Sequence, residues 1–181
     1  MSGPSLACPL EVIGIVHSGH TTPASTPIQS SLNRGEHGAV EILEPYLEGL
    51  AGLADFDYVW LVTWLHRPDS PGERVPLTQV PFLLRPQQRT MGIFATRGPR
   101  RVNPIGLSLV RVLEVTGTRL RFAGVDLLDG TPVVDIKPYV TRFDRPDGVV
   151  HCGWFDTIAM PGAVTPADLE PSPPDPAAQG I

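Results

Sequence analysis

The chain has 181 residues, a net charge of −5 and an apolar share of 41%, which suits one domain with a real hydrophobic core. No apolar run approaches the roughly 18 residues of a membrane span, and no basic-then-apolar leader is visible in the opening MSGPSLACPLEV. The acidic balance argues against a general nucleic-acid coat, which depends on phosphate contacts, and two distant cysteines, Cys8 and Cys152, give no zinc spacing. A reduced, cytoplasmic protein is therefore expected.

In chain order, Leu10 to His17 mixes β-branched and apolar residues and reads as a first strand. Residues 18–38 are rich in Ser, Thr, Pro and Gly, a long loop of the kind that is either functional or disordered. Ala39 to Leu43 reads as a short strand. In Glu44 to Leu53, helical spacing of Tyr46, Leu50 and Leu53 behind Pro45 predicts one short helix. Asp57 to His66, DYVWLVTWLH, is aromatic and nearly continuous, as expected of a buried strand. A second long connection covers 67–90, and Met91 to Ala95 reads as a strand.

Leu107 to Val115 and Arg119 to Asp126 predict a hairpin turning at Thr116-Gly117-Thr118. Asp129-Gly130 marks a further turn before a strand from Pro132 to Ile136. Many short strands, one or two short helices and no helix–strand alternation predict a mainly all-β fold, a small antiparallel β-barrel and not a Rossmann sheet. The expected boundaries are a flexible N-terminus over 1–9, the barrel domain over 10–159 and a Pro/Ala-rich disordered tail over 160–181.

Three features carry chemistry. FATRGPRRVNPIGLS (Phe94 to Ser108) places three arginines in five residues among prolines and glycines, in an otherwise acidic chain. Such a shaped, guanidinium-bearing loop suits carboxylate, phosphate or the face of a base, although a polar connection between strands is also compatible. DLLDGTPVVDIKPY (Asp126 to Tyr139) gathers Asp126, Asp129 and Asp135 around a turn and carries the only lysine, Lys137. Asp135, Lys137 and Tyr139 share one strand face, which offers either an acceptor, a cation and a phenol for catalysis or a plain ion pair. His17 and His20 have no third ligand nearby in sequence, so no metal site is expected.

Together these two motifs resemble the TsaA-like, or YaeB-like, family, whose best understood members are TrmO-type tRNA methyltransferases. The resemblance covers roughly residues 10–156 and extends to Gly14-Ile15-Val16, Thr26-Pro27-Ile28-Gln29, Glu48 to Leu53 and Gly153-Trp154. It implies a non-Rossmann β-barrel methyltransferase that binds S-adenosylmethionine as a homodimer and methylates N6 of threonylcarbamoyl-adenosine beside the tRNA anticodon. Carried over residue by residue, the cofactor contacts fall on Pro27, Ile28, Gln29, His66, Arg67, Arg97, Leu107, Leu128, Asp129, Gly130 and Thr131. Arg100, Arg101 and Asn103 then face the substrate, and Asp135, Lys137 and Tyr139 are the catalytic candidates. Two departures stand out: Val102 replaces the family's usual proline, and Asp57-Tyr58 replaces its usual Ser-His. With the acidic charge, they keep a small-metabolite methyltransferase and a non-enzymatic cofactor-binding module as alternatives.

Overall fold

The structure, a computed structural model, describes residues 9–65 and 74–158; expectations for residues 1–8, His66, Arg67 and the 160–181 tail lie outside the described residues. The strands are β1 (Gly14–His17), β2 (His37–Ile42), β3 (Tyr58–Trp64), β4 (Thr78–Gln79), β5 (Met91–Gly92), β6 (Ile105–Thr116), β7 (Arg119–Ala123) and β8 (Pro132–Pro138). Six of them close into an antiparallel barrel in the order β1-β2-β7-β6-β3-β8, while β4 and β5 pair separately.

Alternation decides which side chains fill the barrel. Val16, Val40, Ile42, Val59, Leu61, Val110, Leu120, Phe122 and Val133 all point inward and are buried. β3 differs from the fully buried strand expected of DYVWLVTWLH. Val59, Leu61 and Thr63 are buried, but Trp60, Val62 and Trp64 alternate with them on the outer wall and are only partly covered. The antiparallel register sets the outer residues in rows: Leu107 beside Val62 beside Asp135, then Leu109 beside Trp60 beside Lys137. A register shift between Val62 and Thr63 keeps both Val133 and Ile136 turned toward the core.

Three expected elements change form. The 44–53 helix is a 3-10 helix over Glu44–Leu50 followed by another over Leu53–Asp55, and Leu50 and Leu53 cover one end of the core. Gly52, at φ 77°, adopts a backbone that an α-helix cannot continue through. The expected 91–95 strand stops at Gly92, and Ile93–Ala95 forms a 3-10 turn because side chains from elsewhere take its carbonyls, as described below. β7 ends at Ala123 and not Asp126, since Gly124 turns at φ 90° to pass close beside Ser30.

β1 is short but closes the barrel. A β-carbon at Gly14 would sit 2.8 Å from the Glu41 carbonyl oxygen and 2.9 Å from Val40 Cγ1, so β1 lies tight against β2 because it lacks one. Gly14→Ala should therefore destabilise the fold by about 1–3 kcal/mol, the usual cost of overpacking a filled core. An unchanged urea midpoint for this variant would show that the seam has slack.

Candidate active site

The long loop after β1 folds back along β6 beyond the end of β7. Ser30 Oγ donates to the Leu109 carbonyl (2.9 Å), and the Ser30 amide donates to Asp126 Oδ2 (2.8 Å). Gln29 Nε2 donates to the same carboxylate oxygen (3.3 Å), and Gln29 Oε1 accepts from Arg97 Nε (2.9 Å). A polar chain thus runs from Arg97 of the arginine loop, through Gln29 of the first loop, to Asp126 before the aspartate turn. Pro27 is buried beside it, and Ile28 is partly covered.

Asp126 is the unusual member. Its Oδ1 is buried and has no hydrogen-bond partner. Burial pushes its carboxyl above the ordinary carboxylate range, opposed by hydrogen bonding from the Ser108 hydroxyl, the Ser30 amide and the Gln29 amide. A buried acceptor left unpaired is costly, and such atoms concentrate where a ligand or water completes the site.

The Leu128–Thr131 turn is pinned beside it by the end of β1. The Asp129 amide donates to the His20 carbonyl (2.8 Å), the Gly130 amide to the Val16 carbonyl (2.9 Å), and the Val16 amide to the Thr131 carbonyl (2.9 Å). Ser18 adds its amide to Asp129 Oδ1 (3.1 Å) and its hydroxyl to the Leu127 carbonyl (2.8 Å). Gly130 supplies the left-handed residue the turn needs, at φ 77°. His17 and His20 diverge: His17 Nδ1 lies 3.7 Å from Asp129, and His20 Nε2 lies 3.0 Å from Glu36. Among the described residues no group of three metal-donor side chains converges.

In the arginine loop the three guanidiniums do different things. Arg97 reaches Gln29. Arg101 turns back, and its Nη1 donates to the carbonyls of Ile93 (2.7 Å) and Thr96 (2.9 Å). Arg100 is exposed, as is Asn103, which with Phe94, Arg101, Val102 and Ile105 lines an open depression of about 370 Å³. Two arginines of the barrel wall are paired locally, Arg119 with Glu41 (2.7 Å) and Arg121 with Glu114 (2.9 Å).

Asp135, Lys137 and Tyr139 occupy the outer wall of β8. Lys137 Nζ lies 2.8 Å from Asp135 Oδ2, and this hydrogen bond and charge raise the lysine pKa above its ordinary value, so the ammonium stays protonated. Tyr139 sits at the far end of β8 from the 128–131 turn, its ring 6.2 Å from that of Trp60. Asp135 is nearer the expected cofactor residues, two strands from Leu107, or about 10 Å at the usual strand spacing. Sequence reasoning did not single out Ser30, Ser108 or Ser18. Asp126 was visible in the aspartate cluster, but nothing in the sequence pointed to its link with Gln29.

The pH dependence of stability should report on Asp126. Because its folded pKa is raised, its stabilising contribution is complete below the unfolded value of about 3.8 and is lost as pH rises through the folded one. Wild-type stability measured against Asp126→Asn should consequently fall as pH climbs above about 3.8. Parallel stability curves for the two proteins would mean that the carboxylate is solvated.

The comparisons with known proteins agree with this architecture. The model of the tRNA-methyltransferase O N-terminal domain matches residues 15–145. A probable S-adenosyl-L-methionine-binding protein of Pyrococcus abyssi is 41% identical over 144 residues, which cover 80% of this chain and 74% of that protein. The tRNA (adenine(37)-N6)-methyltransferase of Escherichia coli is 37% identical over 136 residues, 72% of this chain but only 57% of the relative. The crystal structure of TrmO from Pseudomonas aeruginosa superposes with a TM-score of 0.66 at 33% identity, over 87% of this chain and 65% of that one. The matched region thus spans well under two thirds of the Escherichia coli enzyme and just under two thirds of the solved TrmO chain. This chain, a six-stranded barrel carrying the arginine loop and the aspartate turn, belongs to the TrmO family.

Proposed function

We propose that the protein is an S-adenosylmethionine-dependent methyltransferase that modifies N6 of the adenosine beside the anticodon of tRNA, with threonylcarbamoyl-adenosine as the nucleoside. The observation that carries the cofactor part is the Arg97–Gln29–Asp126 chain beside the pinned 128–131 turn, in a chain of this family. These residues fit the group. Asp126 Oδ1 is a buried acceptor that still lacks a donor, and Arg97 carries a fork of N–H donors of which Gln29 uses Nε. Pro27, Ile28, Gln29, Arg97, Leu107 and Leu128 to Thr131 would hold the cofactor, with His66 and Arg67 expected alongside. When bound, S-adenosylmethionine supplies an electrophilic methyl group on a sulfonium.

The protein's own residues have two tasks, to orient the acceptor nitrogen and to manage its proton. Orientation accounts for much of the rate in a direct transfer. The proton on a nitrogen conjugated to a carbonyl must leave, and Asp135 is an exposed-side carboxylate that can accept it. Lys137, held protonated by Asp135, can stabilise negative charge but cannot be the base. Arg100 and Asn103 face the substrate in this reading, and Arg101 supports them from beneath.

The outer wall of β3 and β6 supports a homodimer. Tyr58, Ile105 and Leu107 are each about two-fifths exposed, at 41%, 42% and 46%, and Trp60, Val62 and Trp64 lie among them. An apolar wall of that kind suits a self-complementary interface in an oligomer of two-fold symmetry. A cytoplasmic location, where tRNA is found, follows from the same reading. A small-metabolite methyltransferase is the second reading, favoured by the net charge of −5.

Arg97→Ala should lower S-adenosylmethionine affinity at least tenfold by calorimetry, consistent with losing about 1.4 kcal/mol or more of charge-assisted hydrogen bonding. Equal affinity would remove Arg97 from the pocket. Nucleosides from a deletion strain should lack the N6-methylated threonylcarbamoyl-adenosine by mass spectrometry, and its persistence would move the small-metabolite reading ahead. Light scattering should give twice the 19.5 kDa monomer mass. A monomer at all working concentrations would leave the outer wall without its partner copy.

A further inference from the structure

Gln29 links an exposed cation to an interior carboxyl. Arg97 is exposed, Gln29 is half-buried, and Asp126 stands between Val125 and Leu127, both of them core residues. A side-chain amide has two unlike ends, an oxygen that accepts and a nitrogen that donates, and it can turn either end either way. Here the partners decide. A guanidinium carries no acceptor, so Arg97 Nε can bond only to the Oε1 end of Gln29 (2.9 Å). Nε2 must then face an acceptor, and it meets Asp126 Oδ2 (3.3 Å). Turned over, the amide would set its N–H groups against the guanidinium and its oxygen against the carboxylate. Both contacts would repel.

Asp126 is well placed to make that choice, because the barrel holds it still. The Ser30 amide donates to the same Oδ2 (2.8 Å), and the Ser108 hydroxyl on β6 also bonds to the carboxyl. Ser30 is itself 3% exposed and tied by its hydroxyl to the Leu109 carbonyl of β6. The acceptor end of the chain is therefore rigid, whereas Arg97 is a long side chain with many rotamers. A bond at Nε fixes the plane of a guanidinium, and with it the directions of the Nη groups. Gln29 and Arg97, both expected cofactor contacts, are thus aimed by a residue outside that set.

We propose that Asp126 is a positioning residue for S-adenosylmethionine: by accepting from Gln29 Nε2 it selects the amide orientation that turns Oε1 to Arg97 and sets the guanidinium for the cofactor. Its action runs through Gln29, and no covalent bond is made or broken at it. The proposal rests on the cofactor reading given above. A residue that only held the fold would weaken the barrel without any coupling to Arg97, which Asp126 reaches through Gln29.

The test is calorimetry of S-adenosylmethionine on the full chain, with a urea midpoint for every variant. Asp126→Ala, which removes the acceptor, should lower affinity about threefold to thirtyfold, the range for one lost hydrogen bond to a charged or polar group. Asp126→Asn keeps an oxygen in the same place and should come back to within about threefold of wild type. The losses should not add: in an Arg97→Ala background, Asp126→Ala should cost no further affinity. Asp126→Ser takes its place if Asp126→Ala does not fold, since it keeps one oxygen near the Ser30 amide but sets it farther from Gln29. Wild-type affinity in the folded variant overturns the proposal, as does an Asp126→Asn no tighter than Asp126→Ala. An equal loss with and without Arg97 also overturns it, since that is the mark of a residue that only shapes the barrel. Absence of binding by the wild type would overturn the cofactor reading together with this proposal, whereas wild-type binding with additive losses overturns this proposal alone.

Discussion

The narrow seam where β1 meets β8 is the constraint on which the rest depends. Only Gly14 with Val133 and Ile15 with Pro132 pair across it, supported by the Ile13 amide on the Val133 carbonyl. Closing a sheet removes its edges and leaves no strand with unpaired backbone groups. Here closure also shapes the site. The same four-residue strand that fills the gap delivers Val16, Ser18 and His20 to the backbone of the 127–131 turn, so the turn takes its form from the seam. A change that opens the seam would be read first as a change in the turn.

Charge in this molecule is arranged in two tiers. On the barrel wall, Arg119 and Arg121 each sit against a glutamate, exposed pairs that contribute little stability but cancel positive charge where it would serve nothing. In the arginine loop, Arg97 contacts a neutral amide and Arg101 contacts two carbonyls, neither of which cancels a charge. Three arginines within five residues thus stand in one loop of an acidic protein. A local field of this kind can guide an anionic ligand without making the whole surface sticky to nucleic acid. Asp126 sets the opposite pole, a buried carboxyl whose charge is suppressed by burial and partly restored by its donors.

The architecture was legible where the physics is local. Short apolar and β-branched runs along β3, β6 and β8, with turn residues at Gly117 and Gly130 and no helix–strand alternation, were enough to give a small barrel and not a Rossmann sheet, although the alternation within β3 was not legible. Strand order was not legible, because β1-β2-β7-β6-β3-β8 is fixed by closure and not by neighbours in sequence. The Glu44–Leu50 segment shows a similar limit: its apolar spacing suits an α-helix, but Gly49 and Gly52 and the need to cover the barrel end select the tighter 3-10 form. The residues of the candidate site could be quoted from the motifs, whereas their contacts could not. Gln29 lies 68 residues from Arg97 and 97 from Asp126, and no periodicity encodes such a meeting.

The arginine loop shows why residue type and residue role separate. By sequence, Arg100 and Arg101 form a pair, and a pair suggests a shared phosphate. In three dimensions Arg101 is a brace, spending one Nη1 on two carbonyls of the turn that presents Phe94. The glycines and prolines noticed around these arginines fit the same account, since a turn that must hold one ring outward and one guanidinium inward has few backbone conformations left to it. The backbone of this loop, more than its charge, therefore fixes where each of its side chains stands.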